Sequence, residues 1–265
     1  MMEKMIFGRY IPTDSPMHRM DPRAKLIIIF AYICVVFIAN NFFTYAILTV
    51  YTLLMVFSTK VPFRYIIGGL KIVLWLVVFT LFLHLFLTKE GDLLFQWGWF
   101  KVYEEGVRQG IFISLRFFLL ILMTSLLTLT TTPIEITDGL EVLLAPLKKV
   151  KFPVHELALM MSISLRFIPT LMDETDKIMK AQMARGVDFA GGSIKERVKS
   201  IVPLLIPLFI SSFKRADELA VAMEARGYKG EEGRTKYRKL QWRLLDTGML
   251  VGLAVVSVVL ALLRT

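Results

Sequence analysis

Leu26–Ser58 reads LIIIFAYICVVFIANNFFTYAILTVYTLLMVFS and carries no charged residue. A helix crossing the roughly 30 Å hydrocarbon core of a bilayer needs about 20 predominantly apolar residues. This stretch is too long for one upright crossing. Asn40-Asn41 interrupts it near the middle, and Asn favours turns. It is therefore read as two membrane helices in a tight hairpin, with Asn40-Asn41 at the far interface.

Working outward, a third span runs from about Ile66 to Leu87, after the Val61-Pro62 break. A fourth runs from about Glu105 to Thr131 and a last one from about Leu244 to Leu263. The fold class is an all-α polytopic membrane protein with about five transmembrane helices plus long amphipathic cytoplasmic helices. Composition agrees: 55% of the 265 residues are hydrophobic, and they are gathered in runs rather than spread periodically. The net charge of +10 is then concentrated in the polar remainder. In a membrane chain such an excess fits cytoplasmic loops beside anionic lipid, and no aromatic-basic interleave supports nucleic acid. Cys34 is the only cysteine, and His18, His84 and His155 are scattered, so neither a disulfide nor a metal site is expected, nor any cofactor. No cleavable leader is expected, because mostly polar residues precede Leu26 and a second apolar run follows the first.

Lys and Arg in the flanks set the orientation. Lys4, Arg9, Arg19, Arg23 and Lys25 precede the first span, and the Asn40-Asn41 turn has no basic residue. The positive-inside rule places the N-terminus in the cytoplasm, and five crossings put Arg264 and Thr265 outside. Trp97, Trp99, Phe100 and Tyr103 read as an aromatic belt on the outer side, on a short hairpin turned at Gly98. Residues 133–243 carry 19 Lys and Arg against 14 Asp and Glu, which makes them the largest polar block, expected in the cytoplasm. Three regions follow: residues 1–132 with four spans, 133–243 cytoplasmic, and 244–265 as the last span. Leu157–Ile168 and Ile201–Phe209 are apolar enough to suggest short crossings, but crossing would carry Lys177, Lys180, Arg185, Lys195, Arg197 and Lys199 outside. They are read instead as amphipathic helices in or under the inner leaflet. Arg116 is the cation within a predicted span, and it reads as a pairing or snorkelling residue that stiffens the bundle.

The polar block contains a repeat. Ala181-x-x-Ala184-Arg185-Gly186 is matched by Ala222-x-x-Ala225-Arg226-Gly227, 41 residues on. Each copy closes a long helical pattern, and Pro169, Pro203 and Pro207 are expected to bend the two helices. Gly just past a helix end adopts the left-handed cap cheaply, and Arg in the last turn suits the negative end of the helix dipole. Alanines one turn apart make a thin tip, and Arg offers a planar fork to carboxylates or carbonyls. Two such tips in one polar block point to docking rather than to capping alone.

These features together resemble the transmembrane coupling (T) component of energy-coupling-factor (ECF) transporters, ATP-driven importers of vitamins and transition-metal ions. The resemblance covers nearly the whole chain. It rests on Asp21-Pro22-Arg23-Ala24-Lys25-Leu26, Arg116, Thr131-Thr132-Pro133, Glu135 through Leu144, Arg166-Phe167-Ile168-Pro169 and the two Ala-Arg-Gly motifs. It implies that two ABC ATPase subunits bind the tips of two coupling helices. Ala184, Arg185 and Gly186, with Ala225, Arg226 and Gly227, match the family's docking motifs. It further implies one or more small membrane S components on the apolar helix faces, where Met160, Met161, Met172, Met179 and Met183 form an adaptable surface. Membrane lipid is the remaining partner, and the location is the cell inner membrane.

Two other readings compete. A conventional ABC importer permease would carry its own substrate path, yet polar residues within the spans are sparse. An intramembrane enzyme would place acid-base or metal groups at helical spacing within spans. Glu135, Asp138 and Glu141 share a helix face, but helix-start acidity accounts for them. No Gly-rich phosphate loop is present in the sequence, so ATP hydrolysis is expected of partner subunits.

Overall fold

The computed structural model describes residues 10–97, 100–189, 191–230 and 239–264. In chain order they form α1 (Pro22–Val36), α2 (Phe42–Thr59), α3 (Phe63–Leu87), β1 (Leu93–Trp97), β2 (Phe100–Tyr103), α4 (Glu104–Thr130), α5 (Pro133–Leu143), a short 3-10 segment (Ala145–Val150), α6 (Val154–Ala184), α7 (Ile194–Ala225) and α8 (Leu244–Leu262). The chain divides into two compact units. One contains the described residues up to Leu144 together with those from Leu240 onward, and the other runs from Ala145 to Lys239.

The protein is an all-α polytopic membrane protein. By length and composition α2, α4, α6 and α8 can each cross a membrane, and Val73–Leu87 within α3 is a shorter apolar stretch. This set differs from the expected spans at three helices. α6, expected as an amphipathic helix, is apolar enough to qualify; α1 has only 15 residues, about 22 Å of helix; and α3, expected to span from about Ile66 to Leu87, enters only through its shorter stretch Val73–Leu87. The first helix begins earlier than expected, because Asp21 caps it and Pro22 fills its first turn, and it ends earlier, at Val36.

Each element of the first unit has a local cause. Asn41 does more than make a turn. Its side-chain oxygen accepts from the Thr44 N–H (2.9 Å) while the Thr44 hydroxyl accepts from the Asn41 N–H (3.1 Å), a capping box that starts α2. Lys60, with φ of 52°, ends α2 in the left-handed region before Pro62. Thr132 and Glu135 form a second capping box at the start of α5. Leu93–Trp97 and Phe100–Tyr103 pair antiparallel with Trp97 opposite Phe100, which is the hairpin expected there. Gly98 and Trp99 lie outside the described residues, as do the side chains of Trp97 and Phe100, so the expected belt is described only at Tyr103.

Ala24, Ile28, Tyr32 and Val36 recur every four residues on α1, and all are fully buried. They pack with Leu48 of α2, Leu126 of α4 and Leu260 of α8 in one core. Between membrane helices, lipid offers no hydrophobic drive to associate, so close packing and interhelical hydrogen bonds carry the specificity. The Tyr32 and Thr52 hydroxyls lie 2.6 Å apart between α1 and α2, and the Ser114 hydroxyl donates to the Val77 carbonyl at 3.1 Å. α3 and α4 meet across Gly106 and Gly110, where a Cβ would come within 3.0 Å of the His84 carbonyl oxygen and 3.3 Å of the His84 Cβ. α5 lies on α1 at Gly139, whose Cβ position is 3.1 Å from Leu26 Cδ1.

Arg116 has partners inside the first unit. Its Nε donates to the Tyr45 hydroxyl at 3.1 Å and its Nη2 to the Ala39 carbonyl at 3.3 Å, with the Phe37 ring 5.2 Å away. It joins α4 to the turn after α1 and to the start of α2, which is the pairing expected of it.

A second polar cluster ties the other end of the same helices. Lys25 Nζ donates to the Thr130 carbonyl (2.9 Å) and the Thr131 hydroxyl (3.1 Å). The Asp21 N–H donates to Asp246 Oδ1 at 3.0 Å, and Asp246 Oδ2 accepts from the Arg243 N–H at 2.6 Å. Burial alone would raise the Asp21 carboxyl, but hydrogen bonds from the Arg23 side chain and backbone outweigh it and hold that carboxyl below its ordinary range. The Asp-Pro-Arg and Thr-Thr-Pro motifs are thus joined in space.

Candidate docking site

α6 and α7 form an antiparallel pair within the second unit. The Gln182 side chain of α6 donates to the Pro203 carbonyl of α7 at 3.3 Å. That carbonyl is available because Pro207 has no N–H to bond it, so a helix-breaking residue on α7 creates the acceptor that α6 uses. Further along, Arg215 Nη2 of α7 donates to Glu174 Oε2 at 2.8 Å, and the Ser211 hydroxyl donates to Glu174 Oε1. Ser193 and Glu196 form the capping box that starts α7.

The two repeated motifs end these helices in the same geometry. Ala184 is the last residue of α6, Arg185 is its C-cap, and Gly186 has φ of +89°. The Gly186 N–H donates to the Met183 carbonyl (3.0 Å) and the Val187 N–H to the Gln182 carbonyl (3.0 Å). On α7, Ala225 is last, Arg226 is the C-cap and Gly227 has φ of +74°. The Gly227 N–H donates to Glu224 (2.9 Å) and the Tyr228 N–H to Met223 (3.0 Å). Both ends are Schellman motifs, which satisfy carbonyls that a helix C-terminus otherwise leaves orphaned. A Cβ at either Gly would meet nothing within 4 Å, so backbone angle and not space calls for Gly there.

Capping leaves the side chains available. Ala184, Arg185, Gly186, Ala225, Arg226 and Gly227 are all exposed. Neither Arg185 nor Arg226 makes an ion pair with a described residue. Because α6 and α7 run antiparallel, the motifs lie at opposite ends of the pair rather than side by side. Arg226 lines a cavity with Leu159 and Ser162 near the start of α6, whereas Arg185 ends α6. The helix from Leu159 to Arg185 spans on the order of 40 Å. The 41-residue repeat revealed both tips but not their opposition, which depends on the turn between the helices. The Gln182–Pro203 and Glu174–Ser211–Arg215 links were missed by the sequence reading. Only the two prolines in α7 hinted at a freed carbonyl. Among the described residues, no group of three or more His, Cys, Asp or Glu side chains could hold a metal ion.

Residues 13–237 match a family described as cobalt transport protein (CbiQ). The chain is 66% identical over 264 residues to the energy-coupling factor transporter transmembrane protein EcfT of Bacillus subtilis (strain 168), with both chains covered in full. It is 57% identical over 265 residues to the EcfT protein of Listeria innocua serovar 6a, and 52% identical over 264 residues to that of Macrococcus caseolyticus, again over the full length of each.

Proposed function

This chain belongs to the CbiQ family of cobalt transport proteins, as a transmembrane (T) component of energy-coupling-factor type, and from that premise we propose that it couples ATP hydrolysis on two cytoplasmic ATPases to substrate release from a membrane S component. The single observation that carries this reading is the pair of identically capped, exposed Ala-Arg-Gly tips at opposite ends of α6 and α7. Two tips that far apart suit two separate partner subunits better than one shared pocket.

In this reading residues 133–243 are cytoplasmic, the N-terminus lies inside and the C-terminus outside the inner membrane. Each tip inserts into one ABC ATPase. Arg185 and Arg226 supply a fixed fork of donors to carboxylates or helix-end carbonyls of that subunit. Closure of the ATPases on ATP moves the tips, and the links through Glu174 and Gln182 make α6 and α7 respond as a pair. The exposed apolar residues of α7, among them Ile206, Phe209, Ile210 and Phe213, together with Met160 and Met161 of α6, offer a surface for the S component. Vitamin or transition-metal ion is the cargo of that S component, and nucleotide chemistry belongs to the ATPases.

The test is copurification. The doubly reversed variant Arg185→Glu/Arg226→Glu is expressed with its host's ATPases and isolated in mild detergent. Loss of both ATPases from a variant that still inserts in the membrane is the expected outcome, and full retention would sink the assignment. A conventional permease reading predicts substrate bound by this chain alone, without any S component.

A further inference from the structure

The chain passes between its two units twice, after Leu144 just past α5 and before Leu240 ahead of α8. Within the unit holding α1–α5 and α8, both passages are tied to the same five residues, Asp21-Pro22-Arg23-Ala24-Lys25, which cap and open α1. The α5 passage is held twice. Gly139 of α5 sits on this turn, its Cβ position 3.3 Å from Pro22 Cβ and 3.4 Å from the Arg23 backbone nitrogen. Lys25 Nζ holds the corner ahead of α5 through the Thr130 carbonyl and the Thr131 hydroxyl. The α8 passage is held by the Asp21 N–H on Asp246 Oδ1 and by the Arg23 guanidinium, which lies 5.8 Å from the Trp242 ring while paired with Asp21. The two anchors are one helical turn apart, and the Lys25 N–H donates to the Asp21 carbonyl at 3.2 Å to close that turn. Lys25 is 2% exposed, Asp21 3% and Asp246 0%. Burying charge carries a large desolvation cost, and apolar side chains of similar volume hold helices together at least as well. A static seam therefore has no need of these groups. Directed hydrogen bonds, unlike apolar packing, fix which atoms follow which when an element shifts.

We propose that the first turn of α1 is a joint: displacement of either passage is handed through Asp21 and Lys25 to α1 and to the other passage, so that the three respond together. Coupling of this kind travels through contiguous hydrogen-bonded elements and is reciprocal. The role in transport rests on the reading that α6 and α7 move with the ATPases, but the hydrogen bonds that form the joint need no ATPase.

The test is amide hydrogen exchange of the full-length chain in detergent, read by mass spectrometry. Asp246→Asn cuts the α8 side of the joint and Lys25→Met the α5 side, and each is first checked for wild-type elution and helicity. Asp246→Asn should speed exchange about tenfold over residues 130–143, although Asp246 bonds only Asp21 and Arg243. Lys25→Met should do the same over residues 240–250, so either variant alone suffices if the other fails to fold. Faster exchange confined to 240–250 in Asp246→Asn, or to 130–143 in Lys25→Met, marks two separate anchors and overturns the proposal. In a second arm the complex with its host's ATPases is trapped with Mg-ATP and orthovanadate. A change of exchange in α1 that the Lys25→Met/Asp246→Asn variant loses, while α6 and α7 keep theirs, is expected. A change in α1 that survives in that variant also overturns the joint. Absence of any nucleotide response in α6 and α7 counts against the coupling reading alone, because the nucleotide-free comparison decides the joint by itself.

Discussion

Gly186 and Gly227 stand where the backbone turns left-handed, and any side chain there costs about 1 kcal/mol or more. Gly186→Val or Gly227→Val should therefore fray the last turn and weaken ATPase retention at that tip, while the membrane unit keeps its melting temperature. A melting curve beside a pull-down separates the two effects. Arg116 is the other decisive residue. Arg116→Leu leaves the Ala39 carbonyl and Tyr45 hydroxyl without their donor, at a cost of about 1–3 kcal/mol, and the detergent-solubilised protein should melt several degrees lower. An unchanged melting temperature would show that the hook adds nothing. His18 adds a pH dependence. Burial of its ring, set against hydrogen bonding to the Ile11 carbonyl, pushes its pKa below 6.5. The folded state thus disfavours the imidazolium that the unfolded chain forms. Its contribution is complete above about pH 6.5 and is lost as the pH falls below that value. Melting temperature should drop between pH 7.5 and 5.5, and less so in His18→Gln.

At the scale of elements, the helices were legible because their signals are local. Apolar run length marked α2, α4 and α8 but not the shortness of α1 or the apolar length of α6, Asn40-Asn41 marked the turn, and the Gly after each Arg marked a helix end. The packing signal Gly106-Val107-Arg108-Gln109-Gly110 went unread, although it is a small-xxx-small pattern on α4. It became meaningful only once α3 lay against it, with His84 backbone and side chain at the Cβ positions. Gly110→Leu should pry α3 from α4 and lower the yield of monodisperse protein, whereas Gly68→Leu, with nothing within 4 Å of its Cβ position, should be tolerated. Equal yields from the two variants would contradict this packing. α5 teaches the same lesson. Its capping box is written in Thr132 and Glu135, but its seat on α1 at Gly139 and Leu26 is not.

On the scale of the whole molecule, the division at Leu144 and again at Leu240 separates a unit holding α1–α5 and α8 from the α6–α7 unit. Within the latter, antiparallel pairing sets the distance between docking tips. Cysteines placed by Ala184→Cys and Ala225→Cys, in a Cys34→Ser background, should give spin labels on the order of 40 Å apart by pulsed EPR. A distance below about 20 Å would mean that the pair folds differently.

The amino-acid sequence by itself determined that this is a helical membrane protein and that two of its helices end in the same Arg-bearing tip. Those properties depend on run length, caps and backbone angles, which neighbours in sequence settle. Tertiary structure alone decided the partners of Arg116, the joining of Asp21 to Asp246 and of Lys25 to Thr130 and Thr131, and the use of the Pro203 carbonyl by Gln182. It also decided that the two tips oppose one another. Residues distant in sequence meet only where helices pack, and inside a bilayer that packing depends on shape and buried hydrogen bonds rather than on hydrophobic pattern.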